Sequence, residues 1–125
     1  MNPKRILIVD DDVAVADTLA RALGRLGGYE VRTENRGDRA LDAARSFRPD
    51  LILLDIVMPG MDGDQVAVTI QEDPELTSSR IAFLTGLVSE EELGSSALDR
   101  GGHWIIPKPV EPQELVRIVE RILAP

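Results

Sequence analysis

Five short apolar runs, each followed by a polar loop or a stretch with helical spacing, constrain this chain more than any other feature. The runs are Ile6 to Val9, Val31 with its neighbours, Leu51 to Leu54, Ile81 to Leu84 and Trp104 to Ile106. Between them, apolar residues recur at helical intervals: Val15, Leu19, Leu23 and Leu26; Ala40, Leu41, Ala44 and Phe47; Val66 and Ile70; and finally Leu115, Ile118, Val119 and Ile122. Alternation of this kind predicts βα units wound about a parallel sheet. The runs 6–9, 51–54 and 81–84 are continuously apolar, as strands are when helices cover both faces. The run around Val31 carries Glu30, Arg32 and Glu34 and is expected at an edge. A further helix, the fourth in chain order, is expected over residues 89 to 100. There Ser89 and Glu92 form a capping-box pattern, while Gly94, Ser95 and Ser96 weaken its interior, the glycine alone by about 1 kcal/mol against alanine. Glu111-Pro112 opens the last helix, where proline loses no hydrogen bond.

At 125 residues the chain is sized for one domain, and residues 1–125 are read as a single unit. The absence of cysteine excludes a disulfide framework, a thiolate zinc site and a cysteine nucleophile, and fits a reducing, cytoplasmic setting. Acidic residues outnumber basic ones 22 to 14, and neither half is basic: 9 basic against 11 acidic residues through Asp62, and 5 against 11 beyond it. Phosphate neutralisation needs clustered Lys and Arg, so direct nucleic-acid contact by this chain is not expected. The first apolar run, four residues closed by acids, is too short for a signal peptide or a membrane span.

In an open α/β sheet the working groups gather at the carboxyl ends of the strands. Past the first strand come Asp10, Asp11 and Asp12; past the third, Asp55; past the fourth, Thr85-Gly86; past the fifth, Lys108-Pro109. If these strands are neighbours, several carboxylates, a hydroxyl and an ammonium converge on one crevice. Two carboxylates about 5 Å apart repel by roughly 3 kcal/mol at an effective dielectric of 20, so such a cluster needs a compensating charge. A divalent cation is one, and an all-oxygen donor set without His or Cys suits Mg²⁺ or Mn²⁺. Asp55 can then act as a nucleophile toward phosphorus, with Lys108 neutralising charge on the transferring group and Thr85 donating to one of its oxygens. Each residue also has a plain structural role: Asp12 as a helix N-cap, Asp10 and Asp11 as a solvated turn, Asp55 as a turn carboxylate before Met58-Pro59-Gly60, and Thr85 as an ordinary strand residue. His103, the sole histidine, reads as a turn or surface residue, and Trp104 and Ile105 as packing residues.

Four blocks, Ile6-Leu7-Ile8-Val9-Asp10-Asp11-Asp12, Leu53-Leu54-Asp55-Ile56-Val57-Met58-Pro59-Gly60-Met61-Asp62-Gly63, Leu84-Thr85-Gly86 and Lys108-Pro109, together resemble the receiver domain of bacterial two-component response regulators. The resemblance covers essentially the whole chain. It implies a doubly wound, flavodoxin-like sheet of five parallel strands in the order 2-1-3-4-5 with five helices. It further implies phosphoryl transfer from the phosphohistidine of a sensor histidine kinase, or of a phosphotransfer protein, to Asp55, and Mg²⁺ held by Asp10, Asp11, Asp55 and the carbonyl of Val57. Thr85 and Lys108 fall at the phosphoryl-sensing positions, and the Lys108-Pro109 bond is expected to be cis. The face built from the fourth helix, the fifth strand and the fifth helix is expected to present the change to a downstream protein. Ile105 stands where such domains commonly carry an aromatic switch residue, so an aromatic swing coupled to Thr85 is not expected, and Pro107 calls for a strand at the sheet edge. The competing readings are a receiver piece of a hybrid kinase or larger regulator, a small aspartyl-phosphate phosphohydrolase suggested by Asp10-x-Asp12, and a flavodoxin-like protein. Ala14 and the lack of a substrate cap count against the hydrolase. The absence of a Gly/Ser/Thr phosphate cradle after the first strand counts against a flavin site.

Overall fold

A computed structural model of the chain describes residues 3–86 and 103–125. Five strands form one parallel sheet: β1 (Arg5–Val9), β2 (Glu30–Glu34), β3 (Leu51–Leu54), β4 (Arg80–Thr85) and β5 (Trp104–Pro107). Their order is β2-β1-β3-β4-β5, as expected. β2 and β5 are the edges, which accounts for the charged faces of β2 and for Pro107, which has no N–H to give to a further strand. Four α-helices lie among the described residues: α1 (Val13–Gly27), α2 (Ala40–Phe47), α3 (Gly63–Gln71) and α4 (Pro112–Leu123). The expected helix over 89–100, with its capping box and its Gly-Ser-Ser interior, lies outside the described residues.

The period-2 pleat divides the core in two. Leu7, Val9, Ile52, Leu54, Ile81, Phe83 and Ile105 face the side covered by α2 and α3, meeting Ala40, Ala44, Phe47, Val66, Ala67 and Ile70. Ile6, Ile8, Leu51, Leu53, Ala82, Leu84 and Ile106 face α1 and α4, meeting Ala16, Leu19, Leu23, Leu115, Val116, Val119 and Ile122. Burial on both faces is why the central strands contain no polar residue between Ile6 and Val9 or Leu51 and Leu54. Leu26 departs from the helical pattern read for α1: it is 57% exposed, because it lies in the last turn, where the helix runs out at Gly27. His103 is more than a surface residue, being half-buried with its ring edge-on to Phe83 at 5.6 Å between centroids. Trp104 is half-buried and Ile105 buried, as packing residues.

Two local devices hold loops to this frame. Asp73, buried after α3, accepts from the Glu75 N–H at 2.8 Å and from Arg45 Nε of α2 at 2.6 Å. The backbone N–H, and then the guanidinium, hold its carboxyl below the usual carboxylate range. At the other end, the N–H of Gly63 donates to the Ile56 carbonyl at 2.8 Å, and the start of α3 lies so close to β3 that a Cβ on Gly63 would sit 2.2 Å from the Asp55 carbonyl oxygen and 2.9 Å from the Ile56 Cα. Both obstacles are backbone, so a side chain there must displace the segment carrying Asp55.

Asp73→Asn keeps an acceptor for the Glu75 N–H but loses the charge facing Arg45. A carboxyl whose folded pKa is depressed contributes stability above its unfolded pKa and loses it as pH falls through the folded value. The melting temperature of the variant is therefore expected to lie furthest below the parent's near neutrality and to meet it in acid; thermal unfolding across pH 2 to 7 measures this. Gly63→Ala is expected to lower the unfolding free energy by about 1–3 kcal/mol in urea titrations, the range for forced overpacking.

Candidate functional site

The crevice lies at the carboxyl ends of β1, β3, β4 and β5. Asp10 follows Val9, and its N–H extends the ladder by donating to the Glu34 carbonyl at 3.0 Å. Its side chain is 1% exposed, and Oδ1 accepts the Asp12 N–H at 3.0 Å. Asp11 is exposed, whereas Asp12 caps α1, accepting from the Val15 N–H at 3.1 Å, which is the structural role expected of it. Asp55 follows the four buried residues of β3, its N–H bonded to the Val9 carbonyl at 2.9 Å, so both acids are placed by backbone bonds between adjacent strands. Thr85, buried, ends β4, and its carbonyl accepts from the Lys108 N–H at 2.8 Å. That bond brings the lysine back over the sheet, with the Lys108–Pro109 peptide in the cis form.

Lys108 Nζ lies 2.6 Å from Asp10 Oδ2 and 3.3 Å from Asp55 Oδ2. Burial works against its positive charge, but hydrogen bonding and charge from Asp10, with a further contribution from Asp55, outweigh this and raise its pKa above the ordinary lysine value. Burial likewise raises the pKa of Asp55; Lys108 opposes that shift and the Asp10 charge adds to it. A carboxylate so placed is crowded by a like charge and only half compensated by one shared ammonium.

Carboxylate oxygens of Asp10, Asp11 and Asp55 all lie within 4.8 Å of one another. The donor chemistry fits a hard divalent cation: three carboxylates, two of them buried and one open to solvent, with neither imidazole nor thiolate in the group. The structure thus brings together Asp10, Asp11, Asp55 and Lys108, and sets Thr85 one residue past the level of Asp55 on the neighbouring strand. Val57 lies at the rim with its side chain 57% exposed, and its N–H faces Asp55 Oδ1 at 3.4 Å. One participant was not read from the sequence. Asn35, just past β2, donates from Nδ2 to the Asp10 carbonyl at 2.9 Å, a contact between residues 25 apart that no local pattern announces.

A profile of the response regulator receiver domain matches residues 6–120. The response regulator MprA of Mycolicibacterium vanbaalenii is 36% identical over 121 residues, covering 97% of this chain and 51% of that protein. The DNA-binding response regulator MtrA of Mycobacterium leprae is 38% identical over 113 residues, covering 90% of this chain and 48% of that protein. The chain thus spans about half the length of these relatives. Among solved structures, a response regulator from Chloroflexus aurantiacus superposes with a TM-score of 0.81 at 34% identity, covering 99% of this chain and all of that one. The chemotaxis protein CheY4 of Vibrio cholerae superposes with a TM-score of 0.81 at 27% identity, over 97% and 99% of the two chains. With its sheet order, its acid cluster and these matches agreeing over nearly the full length, the chain belongs to the response regulator receiver domain family, the signalling module of two-component systems.

Proposed function

We propose that Asp55 is the phosphoacceptor of this receiver and that Asp10, Asp11, Asp55 and the Val57 carbonyl hold Mg²⁺, or Mn²⁺, beside it. The supporting observation is the single ammonium of Lys108 shared between Asp10 and Asp55, with Asp11 close by. One positive charge against three carboxylates leaves the site short of cations, and a phosphoryl group arriving on Asp55 deepens the deficit. A bound divalent cation supplies charge neutralisation at the phosphoryl oxygens.

In the transfer itself, an Asp55 carboxylate oxygen attacks phosphorus in the phosphohistidine of a sensor histidine kinase or a phosphotransfer protein. The P–N bond breaks, its electron pair leaves with the imidazole nitrogen, and an acyl phosphate forms on Asp55. Lys108, already within reach of Asp55, offers its ammonium to a phosphoryl oxygen, and the Thr85 hydroxyl donates to another. Each charge-assisted bond is worth about 1.5–3 kcal/mol, the size needed to shift a two-state equilibrium. Both residues stand where β4 and β5 end, so the shift passes to the face of β5 and α4 and to the segment before them, and from there to a downstream protein. With Ile105 buried in the sheet's α2/α3 face, backbone movement and repacking carry the change in place of an aromatic rotamer swing. The protein therefore catalyses its own phosphorylation and dephosphorylation and acts as a switch, with no separate substrate to turn over.

The DNA-binding name belongs to MtrA as a whole, of which this chain matches 48%. The expectation of no direct nucleic-acid contact is accordingly confined to these 125 residues, on the ground of their net charge of −8. No helix among the described residues is long and apolar enough to cross a membrane.

Incubation with acetyl phosphate and Mg²⁺, followed by intact mass, is expected to add one phosphoryl group to the parent and none to Asp55→Asn; equal labelling of the variant overturns the assignment. Millimolar Mg²⁺ is expected to raise the parent's melting temperature, since a ligand that binds only the folded state adds RT ln(1 + [L]/Kd), about 1.4 kcal/mol at ten times Kd. Asp11→Ala should abolish that rise, and a parent indifferent to Mg²⁺ contradicts the metal assignment.

A further inference from the structure

Two backbone groups of Asp10 are held by the edge strand. Its N–H donates to the Glu34 carbonyl at 3.0 Å, and its carbonyl accepts from Asn35 Nδ2 at 2.9 Å. The carbonyl belongs to the peptide unit that joins Asp10 to Asp11. The tilt of that plane fixes where both side chains leave the backbone, the buried Asp10 against Lys108 and the exposed Asp11 with a carboxylate oxygen within 4.8 Å of one of Asp10's. Asn35 is itself held: Glu34 Oε1 accepts the N–H groups of Asn35 at 3.0 Å and of Arg36 at 3.2 Å, folding the chain back so that the amide reaches β1. Two residues on, Gly37 lies against the loop after β3. A Cβ there would meet the Met61 carbonyl oxygen at 2.7 Å and Met58 Cε at 3.3 Å. One short turn on the edge of the sheet therefore touches both the Asp10 backbone and the loop that follows Asp55.

We infer that Asn35 is a positioning residue for the divalent cation, fixing the Asp10–Asp11 peptide so that the two carboxylates converge with Asp55. The inference rests on the metal assignment proposed above. Asn35 is suited to the task by being a neutral donor. Only a donor can face a carbonyl at this distance, and a neutral side chain adds no charge beside three carboxylates. Groups that orient metal ligands without touching the metal typically contribute 10- to 100-fold in affinity.

The test compares Mg²⁺ binding by isothermal titration calorimetry, below the metal-free melting transition, in the parent, Asn35→Leu and Asn35→Asp. Leucine matches the shape of asparagine without the donor, and Mg²⁺ dissociation constants at least tenfold weaker are expected for it. Asn35→Asp separates orientation from charge. An added carboxylate near the site attracts Mg²⁺ more strongly if only field matters, whereas loss of the donor weakens binding if orientation does. Weaker binding in both variants supports the inference. Unchanged binding in Asn35→Leu, or tighter binding in Asn35→Asp, overturns it while leaving the parent's metal site intact. A parent that binds no Mg²⁺ removes the metal assignment itself and the inference with it.

Discussion

The shared ammonium of Lys108 is the interaction on which the site depends. Asp10 and Asp55 end adjacent strands with their N–H groups fixed in the ladder, so neither acid can retreat from the other without breaking backbone bonds. At about 5 Å and an effective dielectric of 20, two such charges repel by roughly 3 kcal/mol. Lys108 offsets this from β5, 2.6 Å from the more buried acid and 3.3 Å from the less buried one. The asymmetry matters to the chemistry. Asp10 holds the lysine firmly, while Asp55 has the longer contact and the greater exposure, as a carboxylate must if it is to attack an incoming group.

What keeps these groups in place is a sheet with no soft face. Strands β1, β3 and β4 are buried on both sides, and the loops beyond them are tied by contacts that tolerate little change: the Gly63 backbone against Asp55, the Asn35 amide on Asp10, and the Asp73 carboxylate between α2 and the loop after α3. In the function proposed above, charge arriving on Asp55 meets groups already placed by the fold, Thr85 and Lys108 at the ends of β4 and β5 among them. On the β1–β2 side, both the N–H and the carbonyl of Asp10 are held by hydrogen bonds.

Much of this was legible in the sequence. The strands, the four helices that lie among the described residues, both edges and the acid-hydroxyl-lysine set follow from local rules: apolar runs are buried strands, helical spacing marks an amphipathic face, and polar residues past a parallel strand face the crevice. Asp12 as a cap, Pro107 on an edge and Ile105 in the core follow in the same way. Leu26 and His103 did not. Periodicity assigns Leu26 to the buried face of α1 but is blind to where the packing neighbours stop, and nothing near His103 in sequence foretells Phe83 beside it.

The sequence by itself determined which groups stand at the strand ends, because the order of runs and acids is written in one dimension and the side-chain alternation of a strand is local. Only the tertiary structure decided how those groups pair. That Lys108 spans Asp10 and Asp55 across 98 and 53 residues, that Asn35 holds the Asp10 carbonyl, and that Gly63 must lack a side chain are consequences of strand register and loop approach. Distances of a few ångströms between segments far apart in the chain are set by the packing of the whole sheet, and no local pattern of residues encodes them.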